Sequence, residues 1–155
     1  MITRRFQPGD EAAVSRLVRR NLLEINSRDY PMEKMQSLAA IFTEAKILDQ
    51  ASWAHMYVVC DGEKIIGTGS VAGYRGSETE SILLTIFALP EYHGKGVGRR
   101  IIEALEQDEY FLRAGRIEIP ASITACRFYE KMGYSYKGGK KALDEDGYYR
   151  MEKFR

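Results

Sequence analysis

One short run constrains the fold of this chain more than any other, because three glycines alternate with other residues between an apolar stretch and a helical pattern. The run reads His93-Gly94-Lys95-Gly96-Val97-Gly98-Arg99-Arg100, and it follows the apolar residues 82–89. A strand, a glycine-rich turn and a helix N-terminus in this order bring free backbone N–H groups together beside the positive end of the helix dipole. The sequence therefore predicts a phosphate site at this turn.

Composition narrows the class of protein. The 155 residues predict one domain, 1–155. The formal net charge is only +1, which argues against a dedicated nucleic-acid surface. No apolar run approaches the roughly 20 residues of a membrane span, and the first residues show no signal-peptide pattern. Cys60 and Cys126 lie outside any C-x-x-C pattern, so we expect reduced thiols, no metal site and a cytoplasmic location.

Periodicity and turn residues predict the elements. Strands are predicted at residues 3–7, 53–60, 64–74, 80–89, 116–119, 134–137 and 148–154, and helices at 11–25, from about 31, at 97–112 and at 124–132. Three consecutive strands in the middle exclude a plain doubly wound sheet. They predict an α/β (α+β) fold with a mixed six- or seven-stranded sheet, antiparallel in its N-terminal half, flanked by about four helices. The unit from residue 82 to residue 119 is predicted to be a parallel crossover, with a ligand at the end of its first strand.

Four local features carry more specific expectations. Asp10 is predicted to cap the first helix, and Asp61-Gly62 to form a hairpin turn. Gly67 and Gly69 are expected to mark bulges, and Pro120 to end its strand.

The glycine spacing by itself leaves the ligand open. The chain contains no Gly-Lys-Ser/Thr, which a Walker A loop requires. Its G-x-G-x-G spacing also differs from the dinucleotide fingerprint G-x-G-x-x-G, and it follows three antiparallel strands instead of opening the chain. A tight structural turn without any ligand remains an alternative on these residues alone.

A second motif follows about two dozen residues later. It reads Pro120-Ala121-Ser122-Ile123-Thr124-Ala125-Cys126-Arg127-Phe128-Tyr129-Glu130-Lys131-Met132-Gly133-Tyr134. Together with the glycine run and the element order, this stretch resembles the GNAT acetyltransferase superfamily over essentially the whole chain. The family loop (Gln/Arg)-x-x-Gly-x-(Gly/Ala) is matched by residues 93–98, and the family's Asn-x-x-Ala-x-x-(Phe/Leu)-Tyr-Glu-Lys-x-Gly-(Phe/Tyr) by residues 122–134. His93 and Ser122 depart from the commoner residues but keep hydrogen-bonding capacity.

The resemblance implies acetyl-CoA as the donor. It implies that residues 94–99 cradle the pyrophosphate, and that the strand edge at Ile86, Phe87 and Ala88 binds the pantetheine arm as a β-strand would. The N–H of Phe87 or Ala88 would polarise the thioester carbonyl. The implied cofactor contacts are His93, Gly94, Lys95, Gly96, Val97, Gly98, Arg99 and Ser122, although Ser122 has helix capping as an alternative role.

Tyr129 matches the family tyrosine that protonates the departing thiolate, with packing as a half-buried aromatic residue as its alternative. The general base is not evident from the sequence. Glu80 and Glu118 are candidates that could face the cleft, His55 is a weaker one, and ordered water is a further possibility.

The acceptor side is implied to lie between the first helix pair and the last hairpin, at Glu24, Asn26, Arg28, Asp29 and Tyr30 with the loop 138–147. A small-molecule amine or a peptide amine would fit there. Homodimers are common in the family, but the sequence leaves the oligomeric state open. A non-catalytic acyl-CoA-binding or sensing module on the same fold stays an alternative, and so does an enzyme that binds ATP or NAD.

Overall fold

The computed structural model describes all 155 residues and contains seven strands and six α-helices. In chain order they are β1 (Ile2–Arg5), α1 (Glu11–Glu24), α2 (Met32–Ile41), α3 (Glu44–Trp53), β2 (His55–Asp61), β3 (Lys64–Gly73), β4 (Glu80–Ala88), α4 (Val97–Glu106), α5 (Glu109–Leu112), β5 (Arg116–Ala121), α6 (Cys126–Lys131), β6 (Ser135–Tyr136) and β7 (Tyr149–Phe154). The predicted class and element order are confirmed, with six helices instead of about four.

All seven strands form one mixed sheet in the order β1-β2-β3-β4-β5-β7-β6. Every neighbouring pair is antiparallel except β4 and β5, which run parallel with α4 and α5 in the connection between them. These two strands pair only at residues 80–82 against residues 116–118. Beyond this point they separate, so the centre of the sheet contains a gap.

Two glycines in β3 let α4 lie close to the sheet. A Cβ atom on Gly67 would sit 2.6 Å from Val97 Cγ1, and one on Gly69 would sit 2.4 Å from Ile101 Cγ2. Both glycines serve helix packing, and the bulge expected at Gly67 is present, because the two steps from Ile65 to Gly67 in β3 face one step of β2. The bulge expected at Gly69 lies instead in the facing strand β4, where three residue steps correspond to two steps of β3.

The helices cover both faces of the sheet. Because side chains alternate along a strand, Ser70 points away from α4, and its hydroxyl meets Gln50 of α3. Helix α1 packs on β3 and β4 and contacts both α2 and α3. The core between these layers is one cluster of 29 buried residues.

Three local expectations were wrong for a tertiary reason. The helix from residue 97 ends at Glu106. The carboxylate of buried Asp108 accepts hydrogen bonds from the Tyr57 hydroxyl and from the N–H of Tyr110, and the second of these bonds caps α5 as a separate helix. Strand β5 continues through Pro120, since only β7 pairs it there. The Asp10 carboxylate binds Arg4 and the Gln7 N–H instead of capping α1.

The hairpin turn and the second helix also differ in detail from the sequence expectation. Asp61 still pairs with Lys64 in the ladder, so the turn is formed by Gly62 and Glu63. Residues 44–53 form the separate helix α3, whose first turn is capped by Thr43 accepting from the Lys46 N–H.

The close approach of α4 to β3 predicts a specific sensitivity. Gly69→Ala should lower the free energy of unfolding by about 1–3 kcal/mol, because the added methyl group overlaps Ile101. Gly115→Ala is the matched control, since its added Cβ would have no such neighbour closer than 4.0 Å. Urea unfolding measures both variants, and equal midpoints for the two would contradict this account.

Candidate active site

The gap between β4 and β5 opens at a strained point of β4. Thr85 has φ of 54°, which is left-handed backbone that a β-branched residue rarely adopts. It lies in the bulge, between the pairs Ser70–Leu84 and Thr68–Phe87. The bulge bends β4 away from the direction that would keep it beside β5.

Gln50 holds this bulge from the side of α3. Its Nε2 lies 3.1 Å from Thr85 Oγ1 and 3.2 Å from Ser70 Oγ, and the Gln50 side chain is buried. A strained residue persists when its surroundings over-determine its conformation. The glutamine supplies this constraint by tying two neighbouring strands to one amide.

The edge of β4 beyond the bulge faces the gap. Leu89 donates its N–H to Ile66 across β3. Antiparallel strands exchange backbone hydrogen bonds at every second residue. The backbone groups of Phe87 therefore face Thr68 of β3, as those of Leu89 face Ile66, and the N–H and carbonyl of Ala88 point to the other side, toward the gap. The Ala88 carbonyl already accepts from Asn21 Nδ2 at 2.8 Å and from His93 Nε2 at 3.0 Å. Of this peptide edge, the Ala88 N–H is therefore the group left free.

The glycine turn forms a cradle of backbone donors at the end of β4. Gly94 and Gly96 have φ of 77° and 81°, and open space surrounds both. The N–H groups of Gly94, Gly96, Val97, Gly98 and Arg99 find no acceptor within the chain. Converging free donors at the N-terminus of a ten-residue helix suit a phosphate.

Side chains around the cradle divide into structural and free ones. Val97 is buried under Gly67 and offers only its N–H. Lys95 and Arg99 are exposed, and the Lys95 ammonium lies 5.3 Å from the centre of the Tyr92 ring. These two cations can follow an anion at the surface.

A cavity of about 360 Å³ occupies the gap. It is lined by residues 82–87 of β4, by Ile119 and Pro120 of β5, and by Ser122, Ala125 and Tyr129 from the following turn and helix. The structure thus brings together Ile86, Phe87, Ser122 and Tyr129 from the residues predicted by sequence. Ser122 also accepts from the Ala125 N–H at 3.3 Å, which is the local capping role.

Tyr129 presents its hydroxyl to this cavity. Its ring is buried, 5% exposed, between Phe128 and Tyr134. The Tyr129 hydroxyl makes no hydrogen bond within the chain. Every side-chain polar atom that is fully buried has a partner, so the unpaired Tyr129 hydroxyl is not fully buried and opens onto the cavity that this residue lines. Burial raises the pKa of the phenol, which keeps it protonated and able to donate.

Glu118 and Glu80 do not face the cleft, which corrects the expectation for both. Glu118 is 1% exposed and bound by three cations, Arg116, Lys137 and Arg150. Burial acts to raise its pKa, but hydrogen bonds from Arg116 and Lys137 outweigh burial and lower it. Glu80 lies at the start of β4 and pairs with Arg116 at 2.9 Å. The Glu118 carboxylate, with its lowered pKa, is a poor proton acceptor.

The first helix pair also places its polar residues differently from expectation. Glu24 is an exposed partner of Arg20, and Asp29 accepts from the Thr124 hydroxyl. The Tyr30 hydroxyl donates to the Gly147 carbonyl and accepts from the Ile123 N–H. None of the three lines the cleft. Asp29 and Tyr30 join the α1–α2 connection to the last hairpin and to the turn before α6.

His55 has a structural environment. Its Nδ1 lies 2.9 Å from the buried Asp108 carboxylate, and its ring stacks on Tyr110 at 3.8 Å. It does not line the cleft.

The cleft is also lined by side chains that the sequence did not single out. The first group is apolar and comes from α1, from α2 and from the residue that ends α2: Leu22, Leu38 and Phe42. The second group is polar and comes from the last loop and β7: Asp146, Tyr148 and Arg150. Asn26, named with its polar segment, also lines the cleft. The polar loop 138–147 was the only signal for the second group, and it does not show which of its side chains turns inward.

Comparison with known proteins agrees with this geometry. The model of the GNAT acetyltransferase domain matches residues 52–136, more than half of the chain. An uncharacterized acetyltransferase of Streptococcus pyogenes is 36% identical over 94 residues, which is 59% of this chain and 60% of the relative. Another, from serotype M1, is 39% identical over 95 residues, covering 59% of this chain and 62% of the relative. The matches thus span less than two thirds of these relatives.

Two solved structures share the fold over nearly the whole chain. The PaiA N-acetyltransferase of Thermoplasma acidophilum, solved with coenzyme A, superimposes with a TM-score of 0.83 at 16% identity and covers 99% of this chain and 98% of that one. A GCN5-related N-acetyltransferase of Rhodopseudomonas palustris gives 0.80 at 22% identity, with 99% and 95% coverage. The fold is that of the GNAT N-acetyltransferases, and the chain belongs to the GNAT acetyltransferase family. No helix has both the length and the apolar character to cross a membrane.

The Gln50 bridge predicts local loosening when it is removed. Gln50→Leu leaves the Ser70 and Thr85 hydroxyls without their partner, so the free energy of unfolding should fall by about 1–3 kcal/mol. Amide hydrogen exchange should accelerate at residues 84–87. Gln107→Leu, at an exposed position, is the control. Unchanged exchange in β4 would show that Gln50 does not hold the bulge.

Proposed function

We propose that this protein transfers the acetyl group of acetyl-CoA to a primary amine. The observation that carries the proposal is the alignment of three uncommitted groups along one gap: the N–H cradle of the glycine turn, the free N–H of Ala88, and the Tyr129 hydroxyl. Family membership supports the same assignment.

The residues present fit the donor. Free N–H groups and open space at Gly94 and Gly96 suit a pyrophosphate, with Lys95 and Arg99 as mobile cations. The separated edge of β4 can hydrogen-bond an extended amide chain between the strands, as in β-strand addition. Acetyl-CoA supplies the acetyl group as a reactive thioester. The Ala88 N–H is placed to polarise its carbonyl oxygen.

In the proposed transfer, the neutral amine nitrogen forms the new C–N bond while the C–S bond breaks. Tyr129 donates its proton to the sulfur, and solvent reprotonates the phenol after the nitrogen has released its own proton. The net products are an acetamide and the free thiol, because the proton that the nitrogen releases balances the proton that the phenol recovers. Most of the acceleration expected here comes from positioning and from carbonyl polarisation.

A non-catalytic acyl-CoA-binding module is the second candidate. One observation favours it: the predicted bases Glu80, Glu118 and His55 are all engaged in structural contacts. The free hydroxyl of Tyr129 favours catalysis, because binding alone gives no reason for it.

Thermal unfolding tests the donor site. Acetyl-CoA at about 100 times its Kd should stabilise the protein by about 2.7 kcal/mol, which is a Tm increase of about 5 °C or more for a domain of this size. ATP and NAD, which lack the pantetheine arm, should stabilise it less. A Tm unaffected by acetyl-CoA would contradict the proposed function.

Replacing the tyrosine tests the general acid. Tyr129→Phe should lower kcat by about 10²–10⁴-fold and leave the KM for acetyl-CoA nearly unchanged, because only the proton donor is lost. Tyr149→Phe is the matched control, since Tyr149 packs on Tyr136 and does not line the cleft. Thiol release with an amine panel measures both. Full activity of Tyr129→Phe would refute its role, and acetyl-CoA binding without any turnover would favour the sensor.

A further inference from the structure

The end of the cleft beside α1 and α2 contains a buried amide without a partner. Asn26 is only 8% exposed, and its side chain makes no hydrogen bond within the chain. Since no fully buried side-chain polar atom is left unpaired, the Asn26 amide must open into the cleft that it lines. A desolvated amide that lacks a partner is unfavourable, which makes it a natural contact for a ligand.

A second uncommitted group comes from the residue directly before β7. Tyr148 is half-buried in the cleft, and its hydroxyl has no hydrogen-bond partner in the chain. Burial raises the pKa of this phenol, and the carboxylates of Asp146 and Asp144 raise it further. The hydroxyl therefore stays protonated and lies within the field of two negative charges.

The charge that this end offers to a ligand is negative. Arg150, a lining cation, is paired with Asp144 at 2.9 Å and with Glu118 at 3.2 Å. Asp146 lines the cleft too, and its carboxylate has no ion-pair partner, because Lys34 binds its backbone carbonyl instead. A bound ammonium group would balance this charge, whereas a bound carboxylate would meet no free cation among the residues that line the cleft.

The remaining walls are apolar. Leu22, Leu38 and Phe42 line the cleft on the side of α1 and α2. These side chains can pack against a hydrocarbon body but cannot solvate a second charged group.

We propose that the acceptor is a primary amine on an aliphatic or arylalkyl body with no carboxylate beside the nitrogen, bound by Asn26, Tyr148 and Asp146. This inference rests on the proposed acetyl transfer and adds the class of acceptor. An α-amino acid would bring its carboxylate into a site where the one lining guanidinium is already paired twice. A polyamine would place a second ammonium group against leucine and phenylalanine.

A matched pair of acceptors tests the proposal. Phenethylamine and phenylalanine differ only by the α-carboxylate, phenylalaninamide replaces that charge with a neutral amide, and spermidine adds further charges. With acetyl-CoA saturating, amine-dependent thiol release should give phenethylamine a kcat/KM at least about tenfold above that of phenylalanine. Phenylalaninamide should fall between them, and spermidine should be below phenethylamine.

The contrary outcomes distinguish failure of the proposed acetyl transfer from failure of the proposed acceptor class. A protein that does not bind acetyl-CoA would remove the proposed function itself. A protein that binds acetyl-CoA but prefers phenylalanine or spermidine would overturn the acceptor class. So would acetyl-CoA binding with neither turnover nor calorimetric binding of phenethylamine to the CoA complex.

Substitutions test the three contacts. Asp146→Asn, Asn26→Leu and Tyr148→Phe should each raise the KM for phenethylamine by about three- to tenfold, with the KM for acetyl-CoA unchanged. Glu145→Gln and Tyr149→Phe are the controls on adjacent residues that do not line the cleft. An unchanged Tm increase with acetyl-CoA shows that each variant is folded. Phenethylamine KM values equal to those of the controls would overturn the assignment.

Discussion

The separation of β4 from β5 is the constraint on which the rest of this structure depends. The two strands pair at only three positions, and an ion network of Arg116 with Glu80, Glu118 and Glu152 holds them together at that closed end. At the open end, the bulge at Thr85 and its bond to Gln50 bend β4 aside. A sheet that is tied at one end and bent at the other leaves a cleft through its centre without exposing the core on either side.

Helix packing places the glycine turn and its free N–H groups at the open end of this cleft. Gly67 and Gly69 allow α4 to approach β3 so closely that Val97 and Ile101 fill the space where side chains would otherwise lie. The N-terminus of α4 is thereby fixed beside the last residues of β4. The buried face of this helix holds it in place, while its first N–H groups remain free.

Polar side chains in this molecule fall into two sets. The first set consists of residues whose polar groups are already bound to partners within the chain: Glu118, His55 and Tyr30. The second set consists of residues that line the cleft, are buried to different degrees and make no side-chain hydrogen bond within the chain: Asn26, Tyr129 and Tyr148. Because a buried polar group without a partner is costly, the second set identifies the working surface of the cleft better than residue type does.

The sequence by itself determined the order of elements, the mixed sheet, the glycine turn before α4 and the family, because these depend on local periodicity, glycine positions and motif spacing. It did not determine where α4 ends, why β5 passes through Pro120, or which carboxylates face the cleft. Only the tertiary structure decided these points: Asp108 meets Tyr57 of β2, Glu118 meets cations from three segments, and Tyr148 lines the same cleft as Asn26. Such partnerships join residues far apart in the chain, so no local pattern encodes them.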